Sequence, residues 1–148
     1  MTTPLRESFA KVIAQVEGFK RGRERAIGDK SRVRLSMLIM AFVTEDRRHT
    51  DELVQHALGR HRRFLNAFGT KGEVKAGALS LHESDLTAEQ IEQNLVIGPP
   101  DMVAEKISRY AELKIDNLQV NMNFGAPHAQ VMRSLELFAT RVMPNIRR

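Results

Sequence analysis

The chain has 148 residues and a formal net charge of +5, with no cysteine, no tryptophan and one tyrosine. That composition excludes disulfides, thiolate nucleophiles and cysteine-held metals, and leaves little aromatic surface for stacking on single-stranded nucleic acid. The length suits one ordinary domain, with 42% hydrophobic residues to build a core and no apolar run near the ~20 residues that span a bilayer.

The start, "MTTPLRESFAK", lacks the apolar core of a secretory signal, so the cytoplasm is the expected compartment. Residues 6–22 read as a helix, because Phe9, Val12, Ile13, Val16 and Phe19 fall at helical spacing. Gly18 and Gly22 weaken its end, and "RAIGDKS" reads as a loop. The cations gather in "FKRGRERAIGDKSRVR" and "LGRHRRF". No zinc-finger spacing or RNP-like aromatic motif accompanies them. They read as a solvated basic face, with at most weak, salt-labile contact to nucleic acid.

"VRLSMLIMAFV" (33–43) reads as a strand. Val33, Leu35, Met37, Ile39, Ala41 and Val43 share one face, and Leu38, Met40 and Phe42 make the other apolar too. A strand buried on both faces belongs to a parallel sheet covered by helices. Periodicity alone leaves a helix open; the flanking loops and β-branched ends favour a strand. Glu45 and Asp46 follow it as loop or cap residues, with catalysis the lesser reading.

"TEDRRHTDELVQHALGRHRRFLNAF" returns to helical spacing, with Leu53, Ala57, Leu58, His61, Phe64, Leu65 and Phe68 as the inward line. "GTKGEVKAGALSLHESD" is glycine-rich and reads as a long irregular loop. Thr87 and Gln90 are spaced as a capping box for a short helix carrying Ile91. Pro99 and Pro100 precede another helix, where proline suits the first turn; Val103, Ile107, Tyr110 and Ala111 are its inward residues. "DNLQVNMNF" alternates Leu118, Val120, Met122 and Phe124 with Asn117, Gln119, Asn121 and Asn123, a strand with one polar face. The last helix starts near Pro127, with Val131, Leu135, Phe138 and Val142 inward, and ends at Pro144. Alternating strands and helices give the α/β class. Two long strands are too few for a stable sheet, so the expected chain is one part of a larger architecture or of an obligate assembly.

The stretch from Ile97 to Pro144 resembles the C-terminal end of the bacterial luciferase-like flavin-dependent monooxygenases. The elements that carry the resemblance are Ile97-Gly98-Pro99-Pro100, the helix start Val103 to Lys106, the turn Ile115-Asp116, the strand Leu118 to Val120, the loop Gly125 to Pro127, and "SLELFATRVMP" from Ser134 to Pro144. The strand end Ala41 to Asp46 is a looser match. Residues 1–148 are thus expected to form a single partial luciferase-like domain, with the resemblance strongest over 95–144.

The resemblance implies the C-terminal portion of a (β/α)8 TIM barrel, incomplete here, since such barrels take about 250 residues. It implies a monooxygenase or oxidoreductase that uses FMN, or in some branches F420, on a small organic substrate, once other strands or a partner chain complete it. The family's flavin-phosphate turn has no counterpart in the chain. Lys114 stands where the family usually has glycine before the last strand, at an expected cost of roughly 1 kcal/mol in a left-handed position.

Asn121, Asn123 and Gly125 are the candidate cofactor-binding residues, at the end of the last strand where a barrel opens to its ligand. Amides bond an isoalloxazine edge without adding charge; the alternative is that they face solvent. No catalytic residue is singled out. The histidines 49, 56, 61, 82 and 128 include no pair four residues apart, so no metal site is expected. His128 is placed to cap the last helix or approach an anion there. A homo- or hetero-oligomer is expected, without a membrane or a specific nucleic acid. Two other functions stay open: a non-catalytic barrel remnant that oligomerises or sequesters flavin, and a small basic helical protein that binds nucleic acid.

Overall fold

A computed structural model describes residues 8–68, 73–80, 86–123 and 125–146. Helix α1 (Phe9–Arg25) leads to strand β1 (Ser36–Val43), helix α2 (Arg47–Phe68) and a hairpin of β2 (Glu73–Lys75) and β3 (Ala78–Ser80). Helix α3 (Ala88–Asn94), strand β4 (Val96–Gly98), helix α4 (Pro100–Ala111), strand β5 (Asn117–Asn121) and helix α5 (His128–Leu137) follow. The chain then widens through a π turn, Phe138–Val142, and tightens through a 3-10 turn, Met143–Asn145.

The α/β class holds, with an all-parallel sheet in the order β4-β1-β5. β1 is central and buried on both faces beyond Leu38. Its odd members Met37, Ile39, Ala41 and Val43 enter one core with Val12, Val16, Val103, Ile107, Leu137 and Val142. Its even members Met40 and Phe42 enter a second core with Leu53, Val54, Ala57, Ile91 and Ile97. This is the period-two alternation of a strand between two helical layers. Helices α1, α4 and the C-terminal helix cover one face, and α2 and α3 the other.

Consecutive barrel strands would stand in the order β1-β4-β5. Here β5 pairs with β1 instead, from Ser36↔Asn117 to Met40↔Asn121. The connection from β1 to β4 therefore runs one way along the sheet, and the connection from β4 to β5 runs back across β1.

Several expectations need correction. α1 begins at Phe9, capped by Ser8, and runs through both glycines to Arg25, with Arg23 and Arg25 at the negative end of its dipole. β4 was not expected: three residues show no periodicity, yet Val96 and Ile97 are buried, one in each core. The segment expected to be irregular holds the β2–β3 hairpin. Ala76 and Gly77 at its turn both have positive φ, 51° and 77°, as a type I′ turn requires; alanine at the first position hides the usual signal. In α2, Phe64 is exposed while Val54 and Asn66 are buried; the side chains of Leu65 and Phe68 lie outside the described residues. In α4, Ala111 is exposed and Ala104 is buried. In the C-terminal helix Leu135 is 42% exposed and Ser134 and Leu137 are buried instead, while Val142 is buried as expected.

Other local signals hold. Thr87 and Gln90 form a reciprocal capping box, at 3.2 and 2.9 Å. Pro100 opens α4 behind an N-cap proline. Lys114 sits in the left-handed region at φ 55°.

Three polar side chains tie these elements together. The Asp116 carboxylate accepts the N–H of Leu35 at 2.7 Å and pairs with Arg34, clamping the starts of β1 and β5. The Leu35 N–H, with the Arg34 charge, holds that carboxyl below its ordinary value. Lys106 Nζ donates to the carbonyl oxygens of Glu92, Leu95 and Ile97, at 2.9, 2.9 and 3.2 Å. It thereby serves the C-terminal end of α3, where carbonyls lack helical donors. Burial lowers its pKa, and Glu92 opposes that shift. Ser134 Oγ accepts the N–H of Val43 at 2.7 Å.

Candidate functional site

In open parallel sheets the ligand crevice forms outside the carboxyl ends of the strands, where neighbouring connections leave in opposite directions. Here that point lies between β1 and β5. The residues around it come from the end of β1, the start of α2, the end of β5 and the start of α5.

Past β1, Thr44 is fully buried, its hydroxyl 2.7 Å from that of Thr50. Asp46 caps α2: its Oδ1 accepts the N–H of His49 at 2.8 Å. Glu45 accepts a hydrogen bond from Arg133 Nε at 2.8 Å, and Arg133 also reaches Glu136. Glu45 and Asp46 are thus an ion-pair residue and a helix cap. The carboxylates raise the Arg133 pKa, Glu45 first and then Glu136.

An open cleft of about 490 Å³ lies between the starts of α2 and α5, lined in part by Glu45, Arg48, His49, Gln130 and Arg133. The His49 ring stands edge-on to Phe42, 6.0 Å between centroids. Its Nε2 is buried and makes no hydrogen bond.

β5 ends in two consecutive amide turns. Asn121 Oδ1 accepts the N–H of Asn123 at 2.9 Å, and Asn123 Oδ1 accepts that of Gly125 at 3.0 Å. Each amide spends its oxygen on the backbone and keeps its Nδ2 group as a donor. All three residues are exposed. Gly125 has φ +81°, and a Cβ built there meets no heavy atom within 4 Å, so its backbone conformation is what calls for glycine. The fold brings the three together in one turn, but they do not line the cleft.

His49, Gln130 and Arg133 line this cleft, and no local pattern in the sequence singles them out for it. Glu45 and Arg133 meet across 88 positions, a proximity no local pattern encodes. The one legible clue was local: Asp46 stands three residues before His49, the spacing of an N-cap and its donor.

His128 is the first residue of α5 and is exposed. His61 is buried, 1% exposed. Among the described residues no group of three or more His, Cys, Asp or Glu side chains is placed to hold a metal ion. Among them, too, no helix is long and apolar enough to cross a membrane. Part of the basic run serves the fold: Arg23 donates to the carbonyl of Lys30, Lys30 to that of Glu24, and Arg34 pairs with Asp116.

No protein-family model and no curated protein matches the chain.

Proposed function

We propose that the chain is the C-terminal part or a short relative of a luciferase-like flavin-dependent monooxygenase, acting on a small organic substrate once further strands complete it. The observation that carries this reading is the position of the resembling motifs. The turn Gly98-Pro99-Pro100 begins at the last residue of β4, and the amide turn Asn121 to Gly125 at the last residue of β5, both at the carboxyl edge of the sheet. That is the edge where α/β folds bind ligands.

The residues fit one part of a flavin. The Nδ2 groups of Asn121 and Asn123 suit the carbonyl-bearing edge of an isoalloxazine ring. The phosphate fits less well. Arg47, Arg48 and Arg133 at this edge are all held by carboxylates, those of Glu92 and Asp51, Glu52, and Glu45 and Glu136. Flavin, whether FMN or F420, supplies the redox chemistry when bound; the chain's own amides hold and orient its ring. On this reading the chain closes a (β/α)8 barrel, and β5 exchanges its place beside β1 for the free edge of β4.

FMN fluorescence quenching tests the proposal, with the chain alone and with an N-terminal companion chain. Weak quenching alone and strong quenching in the completed assembly are expected. Replacing Asn121 and Asn123 with alanine should weaken binding only in the assembly. Tight binding by the lone chain, indifferent to both substitutions, removes the site from this turn.

The second reading is a non-catalytic remnant whose helices and strand edges serve association. The strand order favours it, because β5 already pairs with β1 and, among the described residues, no strand covers the outer edges of β4 and β5.

A further inference from the structure

We propose that the outer edge of β5 pairs with itself, so that two copies of the chain join antiparallel about a two-fold axis through Gln119. This inference stands apart from the flavin reading.

β5 is an edge strand: β1 occupies one side, and among the described residues no strand occupies the other. Asn117 donates its N–H to Leu35 on the β1 side, at 3.2 Å. Backbone groups alternate sides along a strand, so those of Asn117, Gln119 and Asn121 serve β1. Those of Leu118 and Val120 point outward, with no backbone partner there among the described residues.

The strand reads Asn-Leu-Gln-Val-Asn, the same in residue class from either end. A two-fold axis at Gln119 sets Asn117 opposite Asn121 of the second copy, and Leu118 opposite its Val120. The outward residues then fall into the hydrogen-bonded positions of an antiparallel ladder, each giving and taking one bond. Gln119 meets its own copy in the non-hydrogen-bonded position, with Cα atoms about 4.5 Å apart and side chains closest. Shifting the register by one residue would set amides opposite aliphatic side chains and misalign the outward bonds.

The side-chain faces agree with this register. Leu118 and Val120 are only half-buried against the first core, and pairing would extend that apolar face across the axis. Asn117, Gln119 and Asn121 are exposed on the other face and would form a row of uncharged amides. Edge strands are usually guarded by a lysine, a proline or an inward charge. β5 carries none of these, although the chain as a whole is charged at +5. The occupant suited to an uncharged, self-complementary edge is the same edge.

Sedimentation or light scattering on the full chain tests the proposal. Twice the 16.8 kDa chain mass is expected at micromolar concentration, and the dimer should persist in high salt because no charges meet. Gln119→Lys and Gln119→Glu each place like charges face to face on the axis and should each give a monomer with an unchanged circular dichroism spectrum. Mixing the two variants should restore the dimer as a heterodimer, a rescue that misfolded chains cannot show. A monomeric wild type overturns the proposal, including one that pairs only with an N-terminal companion chain. So do variants that remain dimeric, or folded variants whose mixture stays monomeric.

Discussion

Ser134 Oγ accepts the backbone N–H of Val43 across 91 positions, at 2.7 Å and out of contact with water. β5 stops pairing at Met40↔Asn121, so among the described residues the end of β1 has no strand on that side. The serine hydroxyl takes the place of the missing strand. Ser134→Ala leaves a buried N–H without an acceptor, which costs about 1–3 kcal/mol. Urea unfolding should show that loss, whereas Ala139→Ser at an exposed position of the π turn that follows should change stability by less than about 0.5 kcal/mol.

Gly98 closes β4 at φ +150°, and a Cβ there would stand 2.6 Å from Met102 Sδ and 3.3 Å from Met102 Cβ. Gly98→Ala combines a backbone penalty with a steric one and should cost about 1–3 kcal/mol. Adding Met102→Ala removes the closest contacts but not the strained φ. Thermal unfolding of the double variant should therefore recover only the steric part, after the loss from Met102→Ala alone is subtracted.

Lys114 predicts a change of opposite sign. It holds a left-handed conformation at φ 55° that glycine adopts without a Cβ penalty. Lys114→Gly should stabilise the chain by up to about 1 kcal/mol, reduced by the greater freedom of glycine in the unfolded chain. Chemical denaturation measures it, and a loss of stability would mean the lysine side chain contributes more than its backbone costs.

Lys106 makes stability depend on pH in the alkaline range. Burial lowers its pKa from the ordinary 10.5, so between the two values the unfolded chain holds the proton more tightly than the folded one. Stability then rises with pH through that window and falls as pH drops through the folded value. Comparing wild type with Lys106→Met across this range isolates the term. The wild type should gain on the variant as pH rises, and a constant difference would show that the ammonium is not desolvated.

Much of the local structure is determined by neighbouring residues alone. The capping box of Thr87 and Gln90, the proline start of α4 and the two apolar faces of β1 each depend on a few adjacent positions. Short-range sterics and hydrogen bonds act there with little help from the rest of the chain. The placement of Asn121, Asn123 and Gly125 after a strand with one polar face is of the same kind.

What only the tertiary structure decided is partnership. β4 is a strand because β1 offers it an edge, not because three residues carry a pattern. β5 lies beside β1 rather than β4, a choice made by packing across the sheet. The cleft then joins His49 from α2 to Arg133 from α5, and Ser134 finds the N–H that β5 leaves unpaired. These contacts span tens of residues, and their free energy comes from burying groups together, which no local periodicity records.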